Sequence, residues 1–160
     1  MADDRIFQSL KADHDRHRDL FARITSSDPD SSERAELFEE LRVELQAHAA
    51  AEEESLYATM LGNPDLRDEA RHSVSEHKEI DDFLGELVQA EPSSDQWAKT
   101  FKELRHRYLH HIEEEEEEMF PAAAKDLDEE TKARLAAVFD KRKPRELARA
   151  EEESPGDARE

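Results

Sequence analysis

The chain has 160 residues, 23 Lys+Arg against 43 Asp+Glu, no cysteine and a net charge of −20. That length fits one domain with a modest core, and the acidity argues against nucleic acid or an anionic membrane as partner, since both are held by clustered Lys and Arg. Without cysteine there is no disulfide framework, thiolate metal site or thiol catalysis. The apolar stretches are too short to cross a bilayer, and acids stand at the N-terminus where a leader would be apolar, so a cytoplasmic protein is expected.

Charged residues make up 41% of the chain and hydrophobic ones 36%, so folding depends on how well the apolar residues are patterned. They follow helical spacing throughout. The first segment carries Ile6, Leu10, Phe21 and Ile24 and closes in the polar run from Thr25 to Ser32. The second runs from about Glu33 to Met60 with Leu37, Leu41, Leu45 and Leu56 on one stripe, and Gly62-Asn63-Pro64 ends it. The third starts near Asp65, carries Ile80, Leu84 and Leu87, and stops at Glu91-Pro92. The fourth holds Trp97, Phe101, Leu104, Tyr108 and Met119, with Pro121 marking its end. Four long amphipathic helices with short connectors predict an all-α, antiparallel up-down-up-down four-helix bundle. Leu127, Leu135, Val138 and Phe139, opened by Asp126 or Asp128 as N-cap, add a short fifth C-terminal helix. The domain is expected over 1–140, with 141–160 a charged, disordered tail punctuated by Pro144, Pro155 and Gly156.

The first two helices are repeated in the next two. His14 and His77 are 63 residues apart, and so are His48 and His111, Glu52 and Glu115, Phe38 and Phe101, and Leu41 and Leu104. The apolar pair Leu56-Tyr57 returns as Met119-Phe120. Matched histidines and apolar pairs say more than matched glutamates in so acidic a chain.

Each helix interrupts its core-facing stripe with histidine. The stripes read Leu10, His14, His17, Phe21; Leu45, His48, Glu52, Leu56; His77, Ile80, Leu84; and Tyr108, His111, Glu115, Met119. An unpartnered buried carboxylate is costly and must be protonated, paired or coordinated. Coordination accounts for all six residues at once, because His and Glu four apart on a helix share a face. The repeat gives His14, His48 and Glu52 from one copy and His77, His111 and Glu115 from the other. Two imidazoles and a carboxylate in each set suit non-heme iron with open positions, and carboxylates able to bridge make a dinuclear site the natural product. Zinc and manganese are compatible with the same donors. A single inward histidine is more often a hydrogen-bonded core residue; four in an internal repeat are not. His17, matched by Ile80, stands between a core residue and an extra ligand. In the run Glu113–Glu118 only Glu115 falls on the stripe, with Glu116 next. His72, His106 and His110 fall off the stripes, and Glu69-x-x-His72 occurs once where a ferritin-like site would need two inward copies.

These residues resemble the hemerythrin HHE cation-binding family. The cues are Asp13-His14, His48-Ala-Ala-Ala-Glu52-Glu53, Glu76-His77, and His111-Ile-Glu-Glu-Glu115-Glu116 leading to Met119-Phe120-Pro121, a resemblance covering roughly 5–140. It implies a bundle holding two non-heme iron ions, oxo- or carboxylate-bridged, that binds or reacts with O2, peroxide or nitric oxide, and whose role is binding or sensing more than turnover. The alternative is an iron buffer, sensor or iron-homeostasis protein. Two departures stand out: Ser73 replaces a histidine one turn before His77, and the family's spacing of five would select Glu116 over Glu115. The first opens a coordination position or invites His17 or a further glutamate, which favours a reactive site over a stable O2 carrier.

Overall fold

The computed structural model describes residues 4–153, which form five helices and no strand. The helices are α1 (Arg5–Ser26), α2 (Ser32–Glu52, continued by a π-helical turn at Glu53–Tyr57 and by Ala58–Leu61), α3 (Arg67–Gln89), α4 (Asp95–Glu114, continued by a π-helical turn at Glu115–Met119 and by Phe120–Asp126) and α5 (Glu129–Glu152). Side-chain caps fix the starts of three of them. Ser31 accepts from the Arg34 amide, Ser94 from the Trp97 amide and Asp128 from the Thr131 amide, which satisfies donors that have no partner inside the helix.

The apolar stripes of α1 to α4 bury two separate clusters. One joins Leu20, Phe21, Ile24, Leu41, Leu45, Leu84, Leu87, Trp97 and Leu104 at one end of the bundle. The other joins Ile6, Leu10, Leu56, Tyr57, Met60, Met119 and Phe120 with Leu135 and Phe139 of α5. The histidine layer lies in the helices between them.

Two expectations need correction. Pro121 does not end α4. It follows directly on the π-helical turn, where the regular ladder is already broken, so its missing N–H removes little and the helix continues to Asp126. Nor do residues 141–152 form a tail: α5 is 24 residues long and passes through Pro144 to Glu152. Tertiary contacts hold this polar stretch. The buried Arg42 guanidinium donates to the Ala150 and Glu153 carbonyls at 3.1 and 2.9 Å, capping the helix end. Lys143 is buried against carboxylates of α1 and α2. The remainder of the expected tail, 154–160, lies outside the described residues. Among the described residues no helix is long and apolar enough to cross a membrane.

Candidate metal centre

Six polar side chains converge between the two apolar clusters, and each is almost wholly buried. His14, His48, His77, His111, Glu52 and Glu115 are all between 0% and 3% exposed. Their Nε2 atoms point inward. Glu52 Oε1 lies 3.6 Å from His48 Nε2 and 3.3 Å from His77 Nε2, while Glu115 Oε1 lies 2.9 Å from His111 Nε2 and 3.7 Å from His14 Nε2. Each carboxylate therefore spans an imidazole from its own copy of the repeat and one from the other copy.

Two overlapping sets of candidate ligands result: His14, His48, Glu52 and Glu115, and His77, His111, Glu52 and Glu115. Within each set, one ligand atom per residue lies within 4.8 Å of every other. Both glutamates belong to both sets. This differs from the copy-by-copy division read from the sequence, and it is the arrangement that lets carboxylates bridge two cations.

The outer faces of the rings are held by a further circle of carboxylates. His48 Nδ1 donates to Asp13 at 2.8 Å, His111 Nδ1 to Glu76 at 2.9 Å and His14 Nδ1 to Glu116 at 2.7 Å. His77 Nδ1 lies 3.8 Å from Glu53. These partners obey the repeat as well, since Asp13 matches Glu76 and Glu53 matches Glu116 at the 63-residue offset. A proton held at Nδ1 turns the Nε2 lone pair toward the centre, the arrangement that orients imidazole ligands on a cation.

The interior is unsatisfied as a set of hydrogen bonds. His14 Nε2, His48 Nε2, His111 Nε2, both Glu52 carboxylate oxygens and Glu115 Oε1 have no hydrogen-bond partner. Buried polar atoms are normally paired, and a cation among them would satisfy the whole group. Protons serve in its place. Burial disfavours charge on His48, but the Asp13 and Glu52 carboxylates outweigh it and raise that imidazole to about 9. Burial likewise opposes charge on His111, and Glu115 and Glu76 raise it to about 10. Glu52 and Glu115 split: the neighbouring Glu115 carboxyl and the His48 and His77 imidazoles overcome burial and hold Glu52 well below the carboxylate range, while burial and the Glu52 charge raise Glu115.

A family model described as the hemerythrin HHE cation binding domain matches residues 5–123. The chain belongs to the hemerythrin HHE family. Its fold also matches a crystal structure of a hemerythrin HHE cation binding domain-containing protein from Mycobacterium kansasii, with a TM-score of 0.72 and 22% identity over 94% of this chain and 99% of that one. A curated relative, a DNA nickase of Nostoc sp., is 26% identical over 140 residues. Those residues are 86% of this chain and 38% of the nickase, so this HHE chain spans well under half of that relative's length.

Two further sequence candidates stand outside both ligand sets of the HHE bundle. His17 has both ring nitrogens engaged: Nδ1 with the Tyr108 hydroxyl at 2.6 Å and Nε2 with Glu44 at 3.2 Å. Burial drives it down to about 3, the behaviour of a neutral core histidine. Glu116 sits behind His14, bonded to it and to Arg18 at 3.0 Å, while Glu115 occupies the interior. His72 and His110 are at the surface, with side chains 64% and 59% exposed.

Sequence reasoning missed three features. The two π-helical turns begin immediately after Glu52 and at Glu115; each shifts the helical register at the site, and no residue preference announces it. The roles of Asp13 and Glu76 were detectable from the repeat, since each precedes a candidate ligand by one position. Tyr57 donates to Glu115 Oε2 at 2.7 Å and stacks on His77, while its match Phe120 stacks on His14 and brings no hydroxyl.

Proposed function

We propose that this chain holds two non-heme irons and binds or reacts with O2, or with peroxide or nitric oxide, at them. His14 and His48 would hold one ion and His77 and His111 the other, with Glu52 and Glu115 shared. The observation that carries the reading is the set of inward, unpartnered Nε2 and carboxylate atoms whose outer faces are fixed by Asp13, Glu76 and Glu116. Four imidazoles and two carboxylates for two ions leave each with a mixed N/O shell and positions to spare, which favours iron over a closed structural zinc site. Such an iron pair supplies reducing electrons and open positions for a small diatomic ligand.

The chain's own residues do the rest. The two apolar clusters exclude water from either end of the layer. Tyr57 holds its proton on Glu115, because burial and the neighbouring carboxylates raise the phenol well above its ordinary range. Beside His48 and His77 lies a cavity of about 20 Å³, walled by Leu45, Ile80, Leu84 and Tyr108. It has room for a water-sized molecule, the scale of a small diatomic ligand. The net charge of −20 favours cations as partners and opposes nucleic acid.

The test is anaerobic loading with Fe(II), metal analysis, and then exposure to O2 with visible absorption and O2 uptake recorded. About two irons per chain and a new visible band support the proposal. Fewer than one iron per chain overturns the centre, and two irons indifferent to O2, peroxide and nitric oxide leave the alternative of an iron buffer or sensor.

A further inference from the structure

The two copies of the repeat are closed to different degrees. On the α1/α2 side, α5 packs along both helices and places Lys143 on Asp13. On the α3/α4 side the matching face carries charge. His72, Glu69, Glu114 and Glu118 stand where the first copy has Ser9, Ile6, Ala51 and Ser55. They line a cavity of about 70 Å³ together with Ser73, Glu76 and Met119, and its inner wall is His111 and Glu115.

His72, Glu76 and Glu114 form a cluster of their own with ligand atoms within 4.8 Å of one another. His72 Nε2 lies 3.4 Å from Glu76 Oε1 and 3.7 Å from Glu114 Oε2, and the other Glu114 oxygen meets His110 at 3.0 Å. The same Glu76 oxygen accepts from His111 Nδ1, so the outer cluster and the buried centre share a residue. The cavity reaches two residues of the buried centre itself. At its inner end His111 and Glu115 are each 1% exposed, and His111 Nε2 and Glu115 Oε1 make no hydrogen bond. Burial and the charges of Glu118 and Asp126 raise Glu69 at the mouth, a sign of negative potential that an arriving cation relieves.

We propose that His72, Glu76 and Glu114 form a third, surface site for a divalent cation, and that ions enter the centre from it through the α3/α4 cavity. The proposal rests on the reading of the buried residues as the destination. An imidazole with two carboxylates, two of the three side chains at least one-third exposed, suits transient capture of a hydrated divalent ion. The acid-lined mouth raises the local cation concentration and so the rate of capture.

The experiment is rapid mixing of the protein with Co(II) under nitrogen, following the visible absorption of the bound ion. The double variant His72→Ala/Glu114→Gln is expected to load the buried centre about tenfold more slowly and to fill that centre to the same final extent, losing only the surface ion. Ser9→Ala, at the matching position of the closed half, is expected to load as wild type. Crystals soaked in Mn(II) should show anomalous scattering between His72, Glu76 and Glu114 as well as at the centre. Normal loading by the double variant, or a fall in the filling of its buried centre in step with the rate, overturns the entry route while leaving the centre intact. Scattering at the surface cluster with none near Glu52 and Glu115 overturns the route and the metal centre together.

Discussion

The α1/α2 and α3/α4 halves are copies in sequence, yet they treat the same inner residues differently. In the first, Asp13 behind His48 is also bonded by Lys143 Nζ at 2.8 Å, and Lys143 reaches Glu44 at 3.2 Å. Glu44 in turn holds His17 and Arg16. In the second, Glu76 behind His111 meets the partly exposed His72 and Glu114, and among the described residues α5 packs on the other half instead. A single added helix has converted one copy into a sealed, charge-balanced wall and left the other as an acidic opening. Duplication builds a symmetric interior; what is packed outside it decides access.

The largest effect should come from abolishing what the halves share. Glu52→Gln keeps the side chain's shape but removes a carboxylate common to both ligand sets, so metal content should fall from about two ions per chain toward none. His48→Ala should remove one ion and leave the other. Equal losses in the two variants would break the shared-carboxylate geometry.

Next in size is the wall itself. Lys143→Met keeps the stem but leaves Asp13 with His48 alone and Glu44 with Arg16 and His17, and should cost about 1.5–3 kcal/mol in chemical denaturation, the worth of a hydrogen bond to a charged group. The exposed pair Arg107–Glu79 on the other half, both side chains nearly half exposed, should cost about 0–1 kcal/mol when Arg107 becomes Met. Similar costs for the two would show that α5 does not seal its half electrostatically.

Both halves hold raised imidazoles, His48 in the first and His77 and His111 in the second, and pH reads them together. With His48 at about 9 and His111 at about 10 against an ordinary 6.5, their stabilisation of the metal-free protein is complete below about 6.5. It is lost as pH rises through 9 and 10. A bound ion must displace those protons, so metal affinity should increase with pH across the same window. Loading at pH 7 should release a proton from each histidine, measurable by calorimetry in buffers of different ionisation enthalpy.

The smallest effect at the centre concerns a hydroxyl that one copy has and the other lacks. Tyr57→Phe converts the position to its counterpart Phe120 and should cost about 0.5–1.5 kcal/mol, the worth of one hydrogen bond. A larger loss in thermal unfolding would mean that the Tyr57–Glu115 bond holds more than its own two groups.

Much of the centre was legible before any coordinates. Leu10, His14 and Phe21 on one stripe, or Leu45, His48 and Leu56 on another, state that a polar layer interrupts an apolar core, because helical periodicity fixes which residues share a face. The 63-residue repeat states that the layer is built twice. What periodicity cannot state is which oxygen faces which ring. Regular spacing from His111 already turns Glu115 inward; the π-helical turns at Glu53–Tyr57 and Glu115–Met119 shift the register of the chain that follows, and the structure puts Glu116 behind His14. From the stripe alone His17 stands between a core residue and an extra ligand; its contacts with Tyr108 and Glu44, brought from two other helices, engage both ring nitrogens.

The sequence by itself determined the helices, their duplication and the six inward polar residues, since each follows from local spacing along one helix. The tertiary structure decided the sharing of Glu52 and Glu115 between the copies, the length of α5 and the open α3/α4 face. Those depend on partners 25 or more residues away, and a long charged side chain such as Lys143 or Arg42 reads as solvated until a distant carboxylate or helix end is placed beside it.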